Sequence, residues 1–134
     1  MTIQLKYKGD EEFTAVNETG NEVSIDMLPA DQKQHQSPTQ LLLSALGACA
    51  AVDIVSMVKK RRKTFVDLKA EVTGERREEH PRGFTKIHMK YTVTSPDLTQ
   101  EEADRIVDLA TTKYCSVAAS ISAEQTHEVV IVAE

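Results

Sequence analysis

Tryptophan is missing from this chain, and three Phe and three Tyr make up its whole aromatic content. A stacking platform for bases, which needs several aromatic faces along one groove, is therefore not expected. An excess of positive charge is missing too. Sixteen Lys and Arg stand against 21 Asp and Glu, a net charge of -5. Nonspecific binding to nucleic acid or to an anionic membrane relies on a basic field that this balance does not supply. Five Gly and four Pro in 134 residues are too few for a collagen-like or disordered chain. No basic stretch followed by an apolar run opens the sequence, so no secretory leader is read and a cytoplasmic location is expected. Cysteine is limited to Cys49 and Cys115, 66 residues apart. In a reducing compartment both are expected to rest as thiols.

What is present reads as a single domain, residues 1–134, by length. Ile3, Leu5 and Tyr7 alternate with polar residues, Gly9-Asp10 marks a turn, and Phe13 to Val16 follows. A second turn over residues 17–21 leads to Val23, Ile25 and Met27 in alternation, so the first 28 residues predict a three-stranded meander. A polar loop follows from Pro29 to Gln36.

Ser37-Pro38-Thr39-Gln40 is a helix start: Ser37 suits the N-cap, Pro38 the first helical position, and Gln40 completes a capping box. The pattern predicts a helix to about Lys63, roughly 38 Å long at 1.5 Å per residue. From residue 41 to 58, 14 of 18 residues are apolar and cover every face. A helix apolar all round is expected to be buried. So small a chain cannot surround it, which predicts a second copy. The run from Lys59 to Lys63 suits the negative end of the helix dipole and reads as a solvated helix end rather than a nucleic-acid patch. The apolar run is broken at Asp53, short of the ~20 residues that span a bilayer.

Residues 65–77 and 85–94 alternate as strands, with a turn at His80-Pro81-Arg82-Gly83. Thr99 and Glu102 form a second capping box ahead of a helical pattern from Ala103 to Ile121. Val129 to Val132 closes the chain as a strand. The order βββ-α-ββ-α-β is an α+β architecture.

Cys49 in Ala48-Cys49-Ala50 reads first as a small buried hydrophobe. Cys115 has two readings. Thr111, Thr112 and Ser116 weaken helix propensity around it. Either the helix continues and buries it, or the helix breaks and places Cys115 at the N-terminus of a new short helix, 116–122, where exposed amides favour a thiolate. His35, His80, His88 and His127 show no metal-ligand spacing. No cofactor motif occurs, and neither a cofactor nor a metal is expected.

The segment Ser37-Pro38-Thr39-Gln40-Leu41-Leu42-Leu43-Ser44-Ala45-Leu46-Gly47-Ala48-Cys49, followed by Val52-Asp53-Ile54-Val55, resembles the central-helix signature of the OsmC/Ohr family. Lys113-Tyr114-Cys115-Ser116-Val117 is similar to that family's second-cysteine motif, and the element order agrees over nearly the whole chain. The resemblance implies an intertwined homodimer with the long helices at its centre. It also implies a thiol-dependent peroxidase for organic hydroperoxides, recycled by a dithiol reductant. Carried over by motif, Cys49 is the peroxidatic residue and Cys115 the resolving one. Leu42, Ala45 and Leu46 would line an apolar approach to Cys49. Three positions depart from the family pattern: Thr39 stands where a Glu is usual, Ser116 replaces a proline, and the first arginine is Arg61. Thr39, Gln40 and His35 are candidate supporting residues, and Lys6, Lys8, Lys33 or Arg82 are candidate cations for the thiolate. The departures also point to an alternative, an OsmC-like stress-associated binding module with little or no peroxidase activity.

Overall fold

Gly9 and Asp10, at φ 141° and 44°, supply the positive φ that a tight reversal between two strands requires. They join β1 (Gln4–Gly9) to β2 (Glu12–Val16), and β3 (Glu22–Asp26) follows through Gly20 at φ 82°. A computed structural model describes all 134 residues, which gather into two compact units, Met1–Leu42 and Leu43–Glu134. The first holds this antiparallel meander in the order β1-β2-β3. Tyr7 pairs with Phe13 edge to face, ring centroids 5.6 Å apart. Leu5, Tyr7 and Met27 each leave more than 60% of their surface exposed.

The loop after β3 is fixed by one carboxylate. Asp26 is fully buried and accepts from Lys33 Nζ at 2.8 Å and from the backbone N–H groups of Leu28, Gln34 and His35 at 3.2, 2.9 and 2.7 Å. Lys33 and those amides hold the Asp26 carboxyl far below the usual carboxylate range, against the opposing effect of burial. A depressed carboxylate contributes stability above its unfolded pKa and loses it as pH falls below that value. Unfolding midpoints should therefore drop below about pH 4 in the wild type. Asp26→Asn should unfold several degrees lower at pH 7 and show a flatter acid limb. Thermal melts followed by circular dichroism at pH 3, 5 and 7 check this.

The helix start is as the sequence predicts. Ser37 Oγ accepts from the Gln40 amide at 3.3 Å and Gln40 Oε1 accepts from the Ser37 amide at 2.9 Å, opening α1 (Pro38–Lys60). Its end comes three residues before the predicted Lys63. Arg62 turns into the left-handed region at φ 60°, which a helix cannot continue through. Lys63 then pairs with Glu102 at 3.7 Å, and Lys59 lies 5.7 Å over the Phe65 ring.

In the second unit β4 (Asp67–Arg76) and β5 (Phe84–Thr94) pair antiparallel. β6 (Glu124–Val132) lies parallel to β5, giving the order β4-β5-β6. A parallel pair needs a crossover, and α2 (Gln100–Leu109) with α3 (Ser116–Ala119) supplies it. The last strand begins five residues before the predicted Val129. Residues 124–128 are all polar, so side-chain alternation could not reveal a stretch whose backbone pairs along β5. Leu46, Ala50, Ile54 and Val58 form one stripe of α1 that meets Ile87, Met89, Tyr91 and Val93 of β5 and Ala103, Ile106 and Val107 of α2 in one core.

As expected for so small a chain, the long helix is covered on one side only. Within the chain, only Leu46, Gly47, Ala50, Ile54 and Val58 of α1 are buried. Val52 leaves 70% of its surface exposed, because one small sheet and one short helix can cover only one side. The helix is long and apolar enough to cross a membrane by length and composition, with a mean hydropathy of 2.1 over 18 residues.

Candidate active site

Cys115 owes its position to two threonine neighbours. Thr111 Oγ1 donates to the Val107 carbonyl at 2.8 Å and Thr112 Oγ1 to the Asp108 carbonyl at 2.6 Å. Such back-bonding competes with regular helix, and the chain widens into a single π-helical turn, Ala110–Tyr114. Cys115 then leaves helical geometry at φ -80°, ψ 107° and caps α3, its Sγ accepting from the Ala118 N–H at 3.3 Å. Of the two readings open from sequence, the broken helix is the one found. The new helix is shorter than 116–122 and ends at Ala119.

Cys115 is only 4% exposed, and Cys49, half-buried on α1, packs against the same core. The Cys49 side chain lies near enough to Cys115 to act on its thiol, and both belong to one packed core. Sixty-six residues of sequence separation are thus closed by α1 on one side and the broken helix on the other. Burial pushes the Cys115 thiol up, the Cys49 thiol adds to this, and the Ala118 and Val117 amides pull less strongly the other way. The sequence expectation that a helix N-terminus favours a Cys115 thiolate is therefore corrected. A one-turn cap in an apolar setting does not offset desolvation.

A third residue belongs to the pair, and the sequence reading missed it as a site residue. Tyr91 is fully buried at the centre of β5, and its Oη donates to the Gly47 carbonyl at 3.1 Å, with Met89 Sδ at 3.7 Å. The strand alternation through Ile87, Met89, Tyr91 and Val93 placed it in the core. A tyrosine at an inward position, whose hydroxyl must find a partner, was the available signal. Burial first, then the nearby Cys115 and Cys49, push its pKa well above that of a free phenol.

The candidate supporting residues are occupied in several ways. Gln40 spends its side-chain oxygen on the α1 cap, and Thr39 Oγ1 lies 3.3 Å from Ser37 Oγ. His35 gives its backbone N–H to Asp26, and Lys33 is bound to the same carboxylate. Lys6 and Lys8 stand exposed on β1. Arg82 donates its Nε to the Arg77 carbonyl at 3.1 Å in the hairpin. Leu46, expected to line an approach to Cys49, is instead fully buried in the core, while Ala45 on the same helix is exposed. Of the histidines, His88 bridges Thr126 and Glu128, and His127 contacts Thr111 and Asp108.

Residues 30–130 match the family model for OsmC-like proteins. The chain belongs to the OsmC-like family. Among similar proteins, Protein YhfA of Escherichia coli K12 is 38% identical over 118 residues, 88% of this chain and 87% of YhfA. The solved OsmC-like protein of Mycoplasma pneumoniae superposes with a TM-score of 0.85 at 21% identity, covering 98% of this chain and 96% of that one. The organic hydroperoxide resistance protein OhrB of Bacillus subtilis shares the fold at a TM-score of 0.62 and 18% identity, with 98% of each chain covered. Within this OsmC-like chain, two neighbouring thiols in a largely apolar setting can undergo one reaction when an oxidant from outside the chain accepts the electrons. They can give up two electrons and two protons and close a disulfide.

Proposed function

We propose that this OsmC-like protein is a thiol-dependent peroxidase that reduces organic hydroperoxides and works as a homodimer. The observation that carries the reading is that Cys49 and Cys115, two free thiols far apart in sequence, pack in one core and lie near each other in the fold. The Cys49 thiolate attacks the peroxide O–O bond. Sulfur gains one oxygen to become a sulfenic acid, and the other oxygen leaves as the alcohol. The Cys115 thiol then attacks the Cys49 sulfur and expels water, which leaves a disulfide. A dithiol reductant restores both thiols and is itself oxidised to a disulfide.

The protein's own side chains account for part of the chemistry. The Ala118 N–H on Cys115 Sγ offers one donor to the negative charge that develops there when the reductant breaks the disulfide. Thr39 offers a hydroxyl where the family pattern carries a carboxylate, and we expect slower chemistry for that reason. One to three decades in rate correspond to roughly 1.4–4 kcal/mol of barrier.

The dimer reading rests on uncovered apolar surface: Val52 on α1 and Leu5, Tyr7 and Phe13 on the meander. A second copy is the occupant this surface fits, because Asp53 lies within the helix and Lys59 and Lys60 end it. The experiment is steady-state consumption of cumene hydroperoxide and of hydrogen peroxide, with a dithiol as reductant. We expect kcat/KM for the organic peroxide to be larger by about tenfold or more, because the core side chains around Cys49 reward an apolar substrate. Equal rates at the level of reductant alone would support the alternative, an OsmC-like binding module without peroxidase chemistry.

A further inference from the structure

We propose that Tyr91 is a positioning residue for the cysteine pair: its hydroxyl clamps to β5 the turn of α1 that carries Cys49, and so sets how closely Cys49 and Cys115 face each other. This rests on the reading that the pair closes to a disulfide. The clamp is the 3.1 Å hydrogen bond from Tyr91 Oη to the Gly47 carbonyl, two residues before Cys49 on the same helical turn. In a helix that carbonyl already serves the N–H four residues on. The phenol is therefore an added donor to a group the helix has satisfied, and its effect falls on where the turn sits. Gly47 shows how tightly it sits, since a Cβ there would meet Val72 Cγ2 of β4 at 2.8 Å.

Cys115 arrives from the other side, as the cap of α3, with its own sulfur held by the Ala118 amide. Neither thiol is on the same element as the other, so their approach depends on how α1 is seated on the sheet. Tyr91 is fully buried and lies in the core cluster that includes Cys115, with Cys49 packed against it. Burial and the two cysteines keep its phenol protonated, so the donor persists across the pH range in which a thiol titrates. Small displacements of reacting groups change effective concentration by large factors. Removing the clamp should act on the pairing of the sulfurs and leave the reactivity of Cys49 alone.

The test is the equilibrium between dithiol and disulfide forms in buffers of reduced and oxidised dithiothreitol, read by thiol labelling and mass. Oxidised dithiothreitol takes two electrons and two protons from Cys49 and Cys115, and the reverse reaction returns them. Tyr91→Phe keeps the ring and removes the hydroxyl. We expect its disulfide to be about tenfold less favoured than the wild type's, a potential about 30 mV more oxidising. In a Cys115→Ser background, Tyr91→Phe should alkylate Cys49 at the unaltered rate across pH 6–9. Met89→Leu removes the sulfur at 3.7 Å from the same hydroxyl but leaves the clamp, and its potential should match the wild type.

A Tyr91→Phe potential equal to the wild type's would overturn the proposal. An unfolded Tyr91→Phe protein would overturn it too, because the hydroxyl would then be a requirement of the fold. If the wild type itself forms no intramolecular disulfide in any of these buffers, it is the disulfide reading of the pair that fails, and the two failures are told apart.

Discussion

Without added reductant, Cys49→Ser should consume no organic hydroperoxide above background, whereas Cys115→Ser should still permit oxidation of Cys49 but close no disulfide. The asymmetry follows from which bond each thiol makes. Attack on the O–O bond requires only the Cys49 sulfur, and a serine hydroxyl ionises far too weakly at neutral pH to replace it. Closing the disulfide requires the second sulfur, so without Cys115 the sulfenic acid persists or oxidises further. The loss at Cys49 should be complete, while the Cys115 variant should still yield the sulfenic acid but no disulfide. Cumene hydroperoxide at one to five equivalents, with both variants in parallel and sulfenic acid trapped by a carbon nucleophile, measures this. Background-level oxidation of Cys49 in the wild type would favour the binding-module alternative.

Val52→Glu should convert a dimer into a monomer. Val52 sits in the middle of α1 with 70% of its surface exposed in the single chain, on the side away from the buried stripe of Leu46, Ala50, Ile54 and Val58. If a second copy covers that side, a carboxylate placed there is buried without a partner. The cost is about 3 kcal/mol or more, and the dissociation constant should rise by roughly two decades or more. A surface valine that nothing covers would show no such effect. Sedimentation velocity of both proteins at micromolar concentration separates these outcomes. A monomeric wild type with native secondary structure would remove the dimer from the account.

Much of the architecture was legible in the sequence because its signals were local. Ser37 with Gln40 and Thr99 with Glu102 announce helix starts through their own side chains, and both caps are made as drawn. The meander was readable from period-two alternation and from Gly9 and Gly20. Two features were not readable. The first half of β6 carries only polar side chains, so its pairing depends on β5 rather than on its own pattern. The early end of α1 depends on the backbone of Arg62, a residue type with no preference for the left-handed region. The uncovered side of α1 was readable, since it follows from how little chain there is to cover it.

The candidate site divides in the same way. The two cysteines were visible as the only thiols in motifs with a resemblance, and the weak helix around Cys115 was visible in Thr111 and Thr112. That burial outweighs the cap amides at Cys115 could not be read from residues 111–118, because the burying atoms come from elsewhere in the fold. Tyr91 was legible as core and illegible as a clamp. Its partner is a backbone carbonyl 44 residues away, and no side-chain pattern points to a carbonyl. Lys33 shows the converse. As a candidate cation it looked free, yet the fold gives it to the buried Asp26.

The central claim is that Cys49 and Cys115 act together on a hydroperoxide, and one titration addresses it. Fully reduced protein receives one equivalent of cumene hydroperoxide, and free thiols and intact mass are read before any reductant is added. The account predicts that both thiols disappear together, that the mass falls by two hydrogens, and that peptide mapping joins Cys49 to Cys115 within one chain. Two free thiols remaining beside unconsumed peroxide would contradict it.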